Sequence, residues 1–176
     1  MKNHIIFTTD RLCARRYTRD DYGSALQFYG DVDTMALVAD GTFLCDEQTI
    51  VAKIDGYIAD YQSYSPYGWW ALTEKESTAA IGEIGLFPLG ESGDIEVGYI
   101  LAPSATGRGY ATEACRGAIR FGFEKLGLEA IVAVCHPENS KSIKVLEKSG
   151  LKPNGTGTFY NRFSLKWLLP RAEWQK

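Results

Sequence analysis

A chain of 176 residues with 45% hydrophobic and 23% charged side chains has the composition of one soluble globular domain, residues 1–176, with enough material for a substantial core. A net charge of −3 argues against nucleic acid as the main ligand, which needs clustered Lys and Arg, and suits a cationic amine. Four cysteines (Cys13, Cys45, Cys115, Cys135) without C-x-x-C spacing and two histidines (His4, His136) give no metal-ligand set; free thiols point to a reducing cytoplasm, and neither a signal-peptide core nor an apolar run near the ~20 residues that span a bilayer is present.

In chain order, residues 5–8 and 11–17 read as a first strand. Thr18 caps a helix that carries Asp20 and Asp21 in its first turn and ends near Gly30. Asp46 caps a second helix over 46–62, where Ile50, Ile54, Ile58 and Tyr61 keep helical spacing. After a turn at 64–68, residues 69–73 and 79–87 read as adjacent antiparallel strands. Residues 95–101 form another strand; a Gly-rich loop follows, then a helix to about Leu126 with Gly127 as its C-cap. The Val- and Ile-rich run 130–135 is a buried strand, 139–149 a short helix stopped by Gly150, and 156–160 with 163–168 a closing hairpin that turns at Asn161-Arg162. The strand–loop–helix–strand unit 95–135 requires two parallel strands and a right-handed crossover, and anions bind at the carboxyl ends of such strands. This order gives an α/β (α+β) fold: a mixed, mostly antiparallel twisted sheet with helices on both faces and a central parallel β-α-β unit.

The sharpest local signal is Gly107-Arg108-Gly109-Tyr110-Ala111-Thr112-Glu113-Ala114. The first turn of a helix has no internal acceptors for its N–H groups, and the helix dipole adds about half a positive charge there. Glycines remove the Cβ atoms that would hold an anion at a distance. Main-chain amides at this turn therefore predict a phosphate-binding nest. No Lys-Ser/Thr follows the loop, which argues against a nucleotide P-loop.

The same segment resembles the acetyl-CoA-binding motif of the GNAT N-acetyltransferase superfamily, Gln/Arg-x-x-Gly-x-Gly/Ala, with Ser104 in the Gln/Arg slot. The longer string is similar to the RimJ/RimL-like branch, which contains the ribosomal-protein N-terminal alanine and serine acetyltransferases. Asn139-Ser140-Lys141-Ser142 with Leu146-Glu147-Lys148-Ser149-Gly150-Leu151 fits that branch, as do Thr9-Asp10-Arg11-Leu12 with Arg15, and Gly82-Glu83-Ile84-Gly85-Leu86. The resemblance runs from about residue 8 to residue 169. It implies the GNAT fold and acetyl-CoA as co-substrate. The main chain of Tyr99, Ile100 and Leu101 would bond the pantetheine arm, and Gly107, Arg108, Gly109, Tyr110, Ala111 and Thr112 would surround the diphosphate. Asn139 matches a CoA-contacting asparagine, with helix capping as its other role.

Acetyl transfer to an amine needs a held cofactor, a neutral amine and a proton for the departing thiolate. Glu96 and Glu83 are the candidate bases, since burial beside an apolar pocket raises a carboxyl toward the useful range; a mechanism with no dedicated base stays open beside them. Many relatives place a tyrosine acid where this chain has Leu146; Ser142 resembles the RimL-like serine that meets the cofactor sulfur, which implies a hydrogen bond that steadies the thiolate, with a plain helix-surface serine as the other reading. Glu113 reads as an offset to the helix dipole, and Cys135-His136 as a strand end rather than a nucleophilic pair. Tyr57, Tyr61, Tyr64, Tyr67, Trp69 and Trp70 are either core or the rim of an acceptor groove, with Asp31, Asp33 and Asp40 adding negative charge. The expectation is an acetyl-CoA-dependent N-acetyltransferase acting by direct attack on a primary amine, a protein or peptide N-terminus first. A polyamine or antibiotic acceptor, a non-catalytic acyl-CoA sensor and another phosphate-binding module stand as alternatives. No metal, nucleic acid or membrane partner is expected; the oligomeric state stays open, a homodimer among the options.

Overall fold

The computed structural model describes residues 4–42, 45–61 and 65–175. Its strands β1 (Ile5–Thr8), β2 (Leu12–Arg15), β3 (Gly68–Glu74), β4 (Ala80–Pro88), β5 (Ile95–Leu101), β6 (Ala130–Cys135), β7 (Lys152–Phe159) and β8 (Arg162–Pro170) form one sheet in the order β1-β2-β3-β4-β5-β6-β8-β7. Neighbours are antiparallel except β5 and β6, which are parallel and joined by a helix. The helices are α1 (Tyr22–Tyr29), α2 (Val32–Met35), α3 (Glu47–Asp60), α4 (Tyr110–Glu124) and α5 (Ser140–Lys148). This is the mixed, mostly antiparallel α/β arrangement expected.

Two apolar layers sandwich the sheet. On one face Ala114, Ala118, Ile119 and Phe123 of α4 pack on Leu12, Leu72, Ile84, Leu86, Val97 and Ile131. On the other, Ala25, Phe28 and Tyr29 of α1 and Ile50 and Ile54 of α3 pack on Ala71, Ala80 and Ile100. Alternation along each strand sorts side chains between the layers. It separates the aromatic residues that stand together in sequence. Trp70 goes to the α4 side, edge-on to Phe7 (6.2 Å) and Phe121 (5.6 Å); Trp69 goes to the α1 side, 4.4 Å from Phe87. Tyr64 lies outside the described residues.

Several boundaries differ from the sequence expectation, each for a local reason. The first strand is two strands, because Thr9 N–H donates back to Leu12 C=O (3.0 Å) and turns the chain into a hairpin. A short helix, α2, follows α1; Asp31, read as a loop acid, caps it by accepting from Thr34 N–H at 2.8 Å. Helix α4 ends at Glu124 with Lys125 as cap, and Gly127 (φ 70) serves the turn beyond. The closing hairpin turns at Tyr160-Asn161 rather than Asn161-Arg162, with both residues at positive φ (49 and 57).

The sheet opens between its two parallel strands. β5 and β6 meet in register at Glu96 and Val132 alone. Beyond that point β5 stays with β4 through Leu101 while β6 stays with β8 through Cys135, so the two parallel strands diverge toward their carboxyl ends.

Candidate active site

The loop from β5 to α4 supplies the first part of the site. Gly107 and Gly109 take left-handed backbone (φ 76 and 79) and carry the chain into the helix. A Cβ added at Gly107 would meet nothing within 4 Å, so that position faces open space. The ladder of α4 starts with Glu113 N–H donating to Gly109 C=O (3.1 Å), leaving the amides of Tyr110, Ala111 and Thr112 ahead of it with no acceptor inside the helix. The loop is braced from behind. The Glu113 carboxylate accepts from Thr9 Oγ1 (2.6 Å), Arg11 N–H (2.8 Å) and Arg11 Nε (2.7 Å), and Arg11 Nη1 donates to Arg108 C=O (3.1 Å). Thr9 and Arg11, noted in sequence only for their resemblance, thus hold the Gly-rich loop in place. The Arg108 guanidinium pairs with Glu74 (3.1 Å) and stacks on the Tyr110 ring (4.7 Å); Gly107, Gly109, Tyr110, Ala111 and Thr112 line the adjoining cleft, and Arg108 does not.

Along the diverging strands, Tyr99, Ile100 and Leu101 line the same cleft from β5, and Ala133, Val134 and Cys135 line it from β6. Asn139 caps α5: its Oδ1 accepts from Ser142 N–H at 3.0 Å. The cap sets Ser142 Oγ 2.8 Å from Tyr99 Oη. Burial holds the Tyr99 phenol far above its ordinary range, so it stays protonated. At the end of β6, burial also raises the Cys135 thiol, and His136 Nδ1 accepts from Glu138 N–H (3.2 Å).

Glu96 and Glu83 lie on the opposite face of the sheet from Tyr99. Glu96 is 4% exposed and sits where β5 and β6 part: Oε1 accepts from Val134 N–H (3.4 Å) and Oε2 from Tyr160 Oη (2.5 Å). Burial raises its carboxyl to about 7, against the hydrogen bonds from Tyr160 and Val134. Glu83 is fully buried and accepts from Tyr17 Oη (3.0 Å) and from Tyr29 Oη; Tyr29 Oη also lies 3.2 Å from Tyr57 Oη. Burial raises Glu83 to about 7, opposed by the Lys53 charge and the two phenols. Glu83 pairs in register with Ile100, four residues along β5 from Glu96, which offsets the two backbone positions by about 13 Å along the strands. Between them, Gly85 faces Gly98, and a Cβ at either would strike the Trp69 indole (2.9 and 2.7 Å); the two glycines make room for that ring to lie on the sheet.

One cleft of about 1400 Å³ connects these parts, lined by the Gly-rich loop, Tyr99–Leu101, Ser142, Glu96, Glu83, Trp69 and Tyr160, with Asp31, Asp33 and Asp40 on the α2 side. Tyr57, Tyr61, Tyr67 and Trp69 line a smaller hollow of about 320 Å³ beside it. Sequence reasoning missed Tyr160, Tyr29, Tyr17 and Lys53. For Tyr160 the one available signal was Asn161, a residue at home in a tight hairpin turn. Among the described residues, no helix is long and apolar enough to cross a membrane, and no group of His, Cys, Asp or Glu is arranged to hold a metal ion.

Comparison with known proteins gives the same direction. Residues 11–152 match the acetyltransferase (GNAT) domain family. The chain is 26% identical over 148 residues to the uncharacterized N-acetyltransferase YnaD of Bacillus subtilis (strain 168), covering 84% of this chain and 83% of that one. It superposes on the GNAT-family acetyltransferase from Bacillus anthracis with a TM-score of 0.80 at 20% identity, over 95% and 99% of the two chains. Mycobacterium smegmatis RimJ, in complex with CoA-disulfide, gives 0.79 at 17% identity over 98% and 92%. At such identities the structural likenesses speak for the fold.

Proposed function

The chain belongs to the GNAT acetyltransferase family, and we propose that within it this enzyme moves the acetyl group of acetyl-CoA to a primary amine, a protein or peptide N-terminus first, by direct attack and in the cytoplasm. The observation that carries this is the continuity of the cleft, which joins an anion nest at one end to a buried carboxylate on the other face through the gap between β5 and β6.

The residues present fit the cofactor. Amides of Tyr110, Ala111 and Thr112 would take the diphosphate, with Gly107 and Gly109 keeping side-chain atoms out of the way. The free edge of β5 at Tyr99, Ile100 and Leu101 would bond the pantetheine arm, with Asn139 capping the helix beside it. When bound, acetyl-CoA supplies the thioester carbonyl that the amine attacks. Glu96, at the mouth of the gap and titrating near neutrality, takes the proton of the amine. Ser142 donates toward the thiol end of the cleft, and its Oγ shares a hydrogen bond with Tyr99 Oη, a phenol kept protonated by burial. Acid and base thus work from opposite faces of the sheet. Glu83, with both oxygens held by phenols and Lys53 beside it, is a buried carboxyl on the acceptor side that itself titrates near neutrality. The raised Cys135 thiol and the engaged His136 support direct attack over an acyl-enzyme.

A polyamine or other small polycation is the second acceptor class, favoured by Asp31, Asp33 and Asp40 along the α2 side of the cleft. Thiol release from acetyl-CoA, measured against peptides with free N-termini, polyamines and aminoglycosides, decides. Turnover with peptides supports the first class and turnover with small amines alone the second. Tight CoA binding with no thiol release across the panel would leave a sensor in place of an enzyme.

A further inference from the structure

Tyr160 occupies a backbone conformation that suits it badly. It stands first in the two-residue turn between β7 and β8 at φ 49, followed by Asn161 at φ 57. Asn tolerates the left-handed region; for a bulky side chain it is sparsely populated. Such a residue persists where its surroundings over-determine it. Burial of the ring is not the reason, because Tyr160 is 42% exposed. Its hydroxyl, however, reaches inward to Glu96 Oε2 at 2.5 Å, across 64 positions of sequence. The tip is tied down on its other side, where Arg162 Nη1 donates to Ala36 C=O just past α2 (2.8 Å). Tyr160 and Asn161 both line the cleft.

We propose that Tyr160 is a positioning residue for Glu96: its phenol fixes the carboxylate at the point where β5 and β6 part, so that an acceptor amine meets the base beside the Tyr160 hydroxyl. This rests on Glu96 being the base. The other contact on that carboxylate, from Val134 N–H, is long at 3.4 Å, so the phenol sets its orientation. Among the described residues no charge competes for the role. β4 presents Phe87 in register with Glu96, the Lys166–Asp94 pair closes on itself at 2.6 Å, and Glu83 lies four residues along the sheet. Burial and the neighbouring carboxylate both push the Tyr160 phenol up, so it remains a donor throughout the working range.

A donated hydrogen bond favours the ionised carboxyl, so deleting it moves the titration upward. The test is carbon-13 NMR titration of protein labelled at glutamate carboxyl carbons, with the Glu96 signal assigned by its loss in Glu96→Gln. It needs neither acetyl donor nor acceptor, so it stands apart from any failure to find turnover. Wild type should titrate at about 7, and Tyr160→Phe about one pH unit higher. Tyr160→Asn, which the turn accepts, should move the same way. An unchanged midpoint in Tyr160→Phe, or a change confined to Tyr160→Asn, would overturn the proposal.

Discussion

Gly107 is the residue at which backbone conformation and the proposed cofactor site meet. At φ 76 it holds a conformation that costs an L-residue about 1–2 kcal/mol, and the Cβ it lacks would point into open cleft. Gly107→Ala should therefore lose stability and also weaken CoA binding by about tenfold or more, the latter worth about 1.4 kcal/mol. Gly127→Ala is the matched control: φ is 70 and nothing lies within 4 Å, but it sits past the far end of α4. It should show the same loss in thermal midpoint and no change by calorimetric CoA titration. Equal affinity in both variants would remove the nest from the account. At Glu96 the expectation concerns rate. Glu96→Gln should cut kcat/KM by about a hundredfold or more and abolish the rise in rate through a pH of about 7, while Glu83→Gln keeps that rise. The loop-to-helix turn at Gly107 and Gly109 was legible in sequence because glycine takes left-handed backbone freely. Tyr160 was not, because a hairpin tip meets a strand 64 positions earlier only once the sheet is assembled.

Elements were legible where periodicity and caps agree. Asp46 and Asn139 announce α3 and α5 and do cap them, accepting from Thr49 N–H and Ser142 N–H. Apolar runs located β4, β5 and β6. What the chain did not declare was the register between elements, and with it the gap between β5 and β6, since strand divergence leaves no local pattern. The same blindness lumped Trp69 with Trp70, which one step of pleat sends to opposite layers. On the face that α1 covers, the strands are shaped around Trp69. A methyl at Gly98 would come within 2.7 Å of the indole and 2.8 Å of Phe87. Gly98→Ala should displace both rings, raising KM for the acceptor several-fold while the Kd of CoA, held on the other side of the gap, stays within about twofold. A parallel loss of CoA affinity would mean that the two arms of the cleft are not independent.

At the scale of the molecule, two carboxyls buried on one face of a single sheet make stability depend on pH. Glu83 and Glu96 both move from 4.5 to about 7 on folding. The folded state holds their protons more tightly, so the contribution is fully present below pH 4.5 and is lost as pH rises through about 7, by about 3 kcal/mol for each group. Glu83→Gln should thus gain thermal stability over wild type on the alkaline side of neutrality and gain little on the acid side. A gain independent of pH would show that Glu83 is not buried as a titrating group. Under the proposed function, that cost sits where a cationic acceptor amine would relieve it.

The most direct measurement is a crystal structure of the protein with coenzyme A. The diphosphate should rest on the amides of Tyr110, Ala111 and Thr112, the arm should follow Tyr99 to Leu101 into the gap between β5 and β6, and the sulfur should end between Ser142 and Glu96. A cofactor bound elsewhere, with the loop at Gly107–Gly109 vacant, would contradict the account at its centre.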